Sequence, residues 1–290
     1  MYISGFTIIR NAVKFDYPIV EAVKSILPLC DEVVIAVGKC DDGTRELVES
    51  IGSEKIRIID TVWDDTLREG GRALALETDK ALAAVSEKAD WCFYIQADEV
   101  IHEKYHPAIR AAMEKWKDDK NVDGLLFRYL HFYGSYDYVG DSRRWYRNEI
   151  RVIRNDKNIR SYRDAQGFRK NDDSKLRVKA VDAEVYHYGW VKPPEKQQAK
   201  QQSFHKMWHN DEWMKKNVTQ TDAFDYSQVD SLAKFSGKHP QVMEERIRRV
   251  NWEFSFDPTQ KKLSLKSRLS MKIEKLTGWR IGEYKNYVLI

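Results

Sequence analysis

The chain has 290 residues, 42% of them apolar and 32% charged, and 49 Lys and Arg against 45 Asp and Glu leave a net charge of +4. Eleven Phe, fifteen Tyr and nine Trp exclude a disordered or collagen-like chain, and +4 is a small excess for a dedicated nucleic-acid binder. Three scattered cysteines, Cys30, Cys40 and Cys92, give neither a disulfide framework nor paired zinc ligands and suit a reducing compartment. Met1 to Thr7 lack the basic and long apolar regions of a secretory signal, and no stretch approaches the roughly 20 apolar residues of a membrane span. Cytoplasmic localisation is expected. In that setting the acceptor pattern Asn217-Val218-Thr219 carries no weight.

Tyr2 to Arg10 reads as a strand. Asp16-Tyr17-Pro18 then starts a helix on which Ile19, Val20, Val23, Ile26 and Leu27 recur at helical spacing. Val33 to Val37 is the continuous apolar run of a parallel strand covered on both faces, and Asp42-Gly43-Thr44 leads into a helix around Leu47, Val48 and Ile51. Ile56 to Ile59 is a third strand. Leu74, Ala75, Ala81, Leu82 and Val85 form a helical stripe, and Trp91 to Ile95 a fourth strand ending at Gln96-Ala97-Asp98-Glu99. Such alternation predicts an α/β fold with a mostly parallel, Rossmann-like sheet flanked by helices. A helix at Ile109 to Trp116 and a strand at Gly124 to Arg128 follow. The alternation then stops near residue 130, Arg143 to Arg169 is rich in arginine and aromatics, and from Pro194 the pattern is mainly helical. The expected organisation is therefore 1–130, an α/β half; 131–192, the rest of the same catalytic domain; and 193–290, a helical extension.

Ligands of open parallel sheets sit beyond the carboxyl ends of the strands, so polar residues just after strands are the first candidates. Arg10-Asn11, Gly38 to Thr44 and Gln96 to Glu99 occupy such places. Asp98 can project into the crevice and ligate a cation, and Asp42 serves equally well as a ligand or as a helix cap. His205 and His209 share a helical face, but Lys206 replaces the Glu of a zinc-protease motif, so the pair reads as a solvated or aromatic-packed face. The arginine and aromatic cluster could stack nucleic-acid bases, although the same aromatics also offer faces for sugars.

Together these positions resemble glycosyltransferase family 2, whose nucleotide-binding half has the GT-A fold. Ile8-Ile9-Arg10-Asn11 is similar to the end of that family's first strand, Val33 to Thr44 to its second strand and following Asp-Gly-Thr, and Gln96-Ala97-Asp98-Glu99 to its Asp-X-Asp-Glu segment. Gly70-Gly71-Arg72-Ala73 is similar to the stretch leading into its nucleotide site. The resemblance spans residues 2 to 190 and departs at Val37 and Gln96, where the family often has Asp. It implies a nucleotide-diphosphate sugar donor held by Arg10, Asn11, Asp42, Arg72 and Gln96, and a divalent cation, Mn²⁺ or Mg²⁺, on Asp98 and on His187 of Val185 to Val191. It also implies an inverting transfer to a glycan or glycolipid acceptor of the kind used in polysaccharide biosynthesis, with a carboxylate as base. Asp164 follows the Arg151-Val152-Ile153-Arg154 strand where relatives carry an acid; Glu149 and Asp182 are the other candidates. A nucleotidyltransferase acting on sugar phosphates and a non-catalytic nucleotide- or sugar-binding relative are the alternatives. No Gly-rich phosphate loop near the first strand supports the nucleotidyltransferase.

Residues 192–290 carry a charge of +7, and eight Lys and Arg in the last thirty residues face only Glu274 and Glu283. Around Leu263 to Leu276 these cations alternate with apolar residues. The first expectation is a solvated helix whose apolar side packs on the catalytic domain, and the second a peripheral contact with anionic membrane lipid.

Overall fold

The computed structural model describes residues 1–217 and 221–290, so Val218 and Thr219 of the Asn217 pattern lie outside the described residues. The chain opens with β1 (Ile3–Ile9), α1 (Ile19–Ile26), β2 (Glu32–Gly38), α2 (Thr44–Glu49), β3 (Ile56–Thr61), α3 (Arg72–Ala83) and β4 (Trp91–Tyr94). These β and α units are where the apolar periodicity puts them. β2 and β4 flank β1 and β3 flanks β2, all in parallel. Alternate residues supply two core layers: Val33, Ile35 and Val37 point with Trp91 and Phe93 to one face, Val34 and Ala36 with Phe6 and Tyr94 to the other.

Next come β5 (Glu99–Ile101), α4 (His106–Trp116), β6 (Gly124–Tyr133), β7 (Ser135–Gly140), β8 (Asn148–Arg154), the β9 (Ile159–Tyr162) and β10 (Gly167–Lys170) hairpin, and β11 (Leu176–Trp190). The boundary expected near residue 130 falls inside β6, which runs on to Tyr133 because Leu130, His131 and Phe132 keep pairing with or packing on neighbours. β8 joins β4 and β6 in antiparallel fashion, which carries the sheet past the parallel half without a break. In the order β3-β2-β1-β4-β8-β6 the sheet is parallel from β3 to β4 and antiparallel beyond, a mixed α/β arrangement.

The remainder holds α5 (Pro194–Lys206), α6 (Asp211–Asn217), β12 (Leu232–Lys234), α7 (Glu244–Arg248), α8 (Leu265–Thr277) and β13 (Tyr287–Leu289). Helices outnumber strands here, although fewer than half of the described residues are helical, and β12 and β13 return to the sheet on β7 and β11. The packing expected around α8 is found only in part: Leu263, Met271 and Ile273 are half-buried. None of its residues is buried, and Leu265, Leu269 and Leu276 face solvent, because Glu274 on the opposite side is what docks the helix, through Arg143 and Arg147.

One buried ion pair ties the sheet to the loops at its end. The carboxylate of Glu99 accepts from Arg151 Nε at 2.8 Å and Nη2 at 2.7 Å, from the Tyr129 hydroxyl at 2.7 Å and from the Gln96 backbone N–H at 3.1 Å. Arg151 also donates to the carbonyls of Ile150 and Gln166 and lies over the Tyr94 and Tyr129 rings. Removing one partner of such a pair strands the other charge in the core. Arg151→Met is therefore expected to lower stability by about 3–5 kcal/mol, read as a lower urea midpoint.

Candidate active site

Asp98 sits four residues past β4, at the reversal of strand order where β1 and β4 meet and an open sheet offers a crevice. Its Oδ2 accepts a 3.0 Å bond from Lys200 Nζ on α5, which donates again to the Gly189 carbonyl at 3.0 Å. Its Oδ1 faces His187 Nε2 at 3.8 Å. Burial alone would raise the Asp98 carboxyl, but the charge and hydrogen bond of Lys200 hold it well below the ordinary carboxylate range. Lys192 is fully buried, donates to the Phe15 carbonyl at 2.8 Å, and stands with Lys200 over the Tyr17 ring. Burial and the neighbouring Lys200 charge push Lys192 well below its usual value, whereas Tyr17 and Asp98 outweigh burial and raise Lys200.

The imidazole of His187 is set by a second histidine. His131 Nε2 lies 2.8 Å from the Tyr146 carbonyl, which only accepts, so that nitrogen carries the proton. Burial pushes His131 down to about 3, so the ring is neutral and its Nδ1 is an acceptor. The 3.1 Å contact between the two Nδ1 atoms then assigns the proton to His187. Burial keeps His187 neutral as well, and its bare Nε2 lone pair is left pointing at Asp98 Oδ1. Two electron-pair donors facing one another are what a cation between them would require. Among the described residues no group of three or more His, Cys, Asp or Glu forms a complete cage. A divalent ion here would draw its other ligands from phosphate oxygens and water, as Mg²⁺ commonly does.

The other candidates divide. Asp164 is half-buried in the turn between β9 and β10, flanked by Arg163 and Ala165, both in the left-handed region at φ 56° and 61°. Such non-glycine conformations cost about 1–3 kcal/mol each and persist only where the surroundings enforce them. Here Gln96 Nε2 donates to the Ala165 carbonyl at 3.1 Å and Arg151 to that of Gln166, which fastens the turn to the end of β4. The Gly70-Gly71-Arg72 stretch meets the same turn: a Cβ on Gly71 would lie 2.6 Å from the Asp164 Cβ and 3.1 Å from Trp208. Arg72, the first residue of α3, is exposed beside it. Burial raises Asp164 and pushes Glu149 up to about 8.

Arg10 is paired with Asp65 at 2.6 Å and lies over Trp63, and Asn11 holds a left-handed turn at φ 57°. Asp42 spends Oδ1 on Thr44 and Oδ2 on the Lys14 N–H, which joins the loops after β1 and β2. Among the described residues no hydrogen bond or ion pair connects Arg10, Asn11 or Asp42 to Asp98. Asp182 is exposed and bonded to Arg128 at 2.9 Å. His205 and His209 stack with Trp213, an aromatic-packed face.

The structure brings Asp98, His187 and Lys200 together at the carboxyl end of a mixed α/β sheet. No family model matches the chain, and no curated protein matches it. Among solved structures, residues 1–349 of S. aureus TarS in complex with UDP are 15% identical, covering 70% of this chain and 64% of that one, with a TM-score of 0.41. Glucosyl-3-phosphoglycerate synthase from Mycobacterium tuberculosis, in complex with Mn²⁺, UDP and phosphoglyceric acid, is 19% identical over 45% of this chain and 43% of that one, TM-score 0.31. The 4-diphosphocytidyl-2C-methyl-D-erythritol synthase from Anaerococcus prevotii is 10% identical over 53% of this chain and 70% of that one, TM-score 0.33.

Gly189 is a tight constraint on the site. A Cβ there would stand 2.6 Å from His187 Nε2 and 2.7 Å from Asp98 Oδ2. Gly189→Ala should cost about 1–3 kcal/mol in urea unfolding through overpacking. It should also shift the His187 ring signals in heteronuclear NMR; unchanged signals would refute the placement.

Proposed function

We propose that the chain is an inverting glycosyltransferase that moves a sugar from a nucleotide-diphosphate donor to a hydroxyl of a glycan or glycolipid acceptor. The observation that carries this reading is the facing pair Asp98 Oδ1 and His187 Nε2 at the end of β4, backed by Lys200 and adjoining the turn that presents Asp164. Asp98 and His187 are the residues that would hold Mn²⁺ or Mg²⁺, whose chemistry is to neutralise charge on a departing diphosphate. Lys200 adds a fixed positive charge to the same end. Gln96, fastened to the Ala165 carbonyl, positions the Asp164 turn, and Arg72, exposed at the start of α3, would meet the donor. The buried thiols Cys30 and Cys92 accord with work in the reducing cytoplasm.

Of Asp164 and Glu149, Asp164 is the better base. A base must be ionised, and Glu149, with its pKa near 8, holds its proton at neutral pH. Asp164 takes the proton of the acceptor hydroxyl as that oxygen bonds to the anomeric carbon, and the bond from that carbon to the diphosphate oxygen breaks on the opposite face. The nucleoside diphosphate leaves with the electron pair.

Two sets of measurements test this. Asp98→Asn should abolish the Mn²⁺-dependent part of UDP or GDP binding in calorimetry, and binding as tight as the parent's would overturn the assignment. Asp164→Asn should lower turnover by about 10²–10⁴-fold with donor binding intact. Glu149→Gln, which mimics the protonated acid, should keep most of the activity at pH 7; the reverse ranking would transfer the role of base to Glu149.

A further inference from the structure

At about 100° per residue, Leu265, Leu269, Lys272 and Leu276 of α8 lie along one stripe, opposite Glu274. The three leucines are 84%, 62% and 85% exposed, and Trp279, just past the Gly278 cap, is 64% exposed. An ordinary surface helix buries such a stripe. Here the reverse orientation is enforced by charge, because Glu274, the only acid of α8, is drawn inward onto Arg143 at 3.2 Å and Arg147 at 3.1 Å. That leaves Lys266, Lys272 and Lys275 with no carboxylate within ion-pair distance among the described residues, while Arg268 reaches only a backbone carbonyl. The helix therefore presents leucines and a tryptophan set among uncompensated cations.

We propose that this face of α8, with Trp279, docks on an anionic lipid bilayer. The apolar stripe matches the depth of the headgroup and acyl boundary, the indole suits that boundary, and the free lysines match anionic headgroups. A folded protein partner with a merely apolar patch would leave the four cations unanswered. The same stripe opens onto a cavity of about 1100 Å³: Leu265, Leu269 and Lys272 line one side of it, and Tyr129, His131 and Tyr146 line the other. His131 is the residue that touches His187. A docked α8 thus sets that cavity, and through it the site, against the lipid headgroups. Taken with the transferase reading, on which this last step alone rests, the acceptor is a membrane glycolipid.

Co-sedimentation of the full chain with vesicles decides the matter. Phosphatidylcholine vesicles containing phosphatidylglycerol should pull down the protein at low salt, phosphatidylcholine alone should not, and added salt should release it. Lys272→Glu combined with Lys275→Glu should weaken binding at least about tenfold, and Leu265→Ser with Leu269→Ser should weaken it comparably. Equal partitioning to both vesicle types, no binding at low salt, or unchanged binding by either double variant overturns the proposal. So does a concentration-dependent dimer of the parent that the leucine variant abolishes, since a second copy would then be the occupant. Nucleoside-diphosphate binding, measured in parallel without lipid, reports on the transferase reading separately: its loss in the parent sinks that reading, whereas its survival without vesicle binding sinks only the docking.

Discussion

The buried pair of Glu99 and Arg151 is the interaction on which the active end depends. Desolvating two charges is expensive, and the pair is tolerated because every oxygen of the carboxylate is answered: two guanidinium nitrogens, one phenol and one backbone N–H. The consequences are geometric. Glu99 is covalently adjacent to Asp98, Tyr129 lies two residues before His131 on β6, Arg151 belongs to β8, and its Nη1 holds the Gln166 carbonyl of the Asp164 turn. One ion pair therefore aligns the residues that carry the proposed acid–base and cation chemistry, although it touches none of the reacting groups.

Around Asp98 the charges are arranged by backbone constraints as much as by side chains. Gly189 removes the Cβ that would separate His187 from Asp98, which lets β11 pass beneath both. Lys192 and Lys200 approach from the segment after β11 and are received by carbonyls and by the face of Tyr17 rather than by further acids. The Asp98 carboxylate is thus met by one ion-paired ammonium, that of Lys200, and by the ring of His187.

Much of this was legible in the amino-acid order, for identifiable reasons. The β1–β4 half follows from period-2 and continuous apolar runs, and Asp98 from its place just after a buried strand. His187 was visible only through resemblance, since nothing local distinguishes it. Lys200 and His131 were missed because their roles exist only in three dimensions: Lys200 lies in a polar helical run, Lys-Gln-Gln-Ala-Lys-Gln-Gln, that reads as solvated, and His131 acts through Nδ1 contacts between β6 and β11. β12 and β13 are three residues each, too short to show a period. The orientation of α8 was misjudged because an apolar stripe predicts burial, whereas a distant pair of arginines competing for Glu274 decides which side turns inward.

That competition has a wider reading. Arg143 and Arg147 belong to the loop before β8, the same segment that contributes the Tyr146 carbonyl to His131. Glu274 and Glu283 clamp this segment from the C-terminal side, Glu283 through a bidentate contact with Arg147 at 2.9 Å. The proton on His131 Nε2, and with it the tautomer of His187, thus depends on a carbonyl whose position is held by the C-terminal third. Residues 193–290 are in this sense part of the site's scaffold: α5 supplies Lys200 to Asp98, and the α8 segment steadies the far end of the histidine pair. Charge, rather than apolar burial, is the main tie in both places. The leucines of α8 are left free to meet something other than the protein itself.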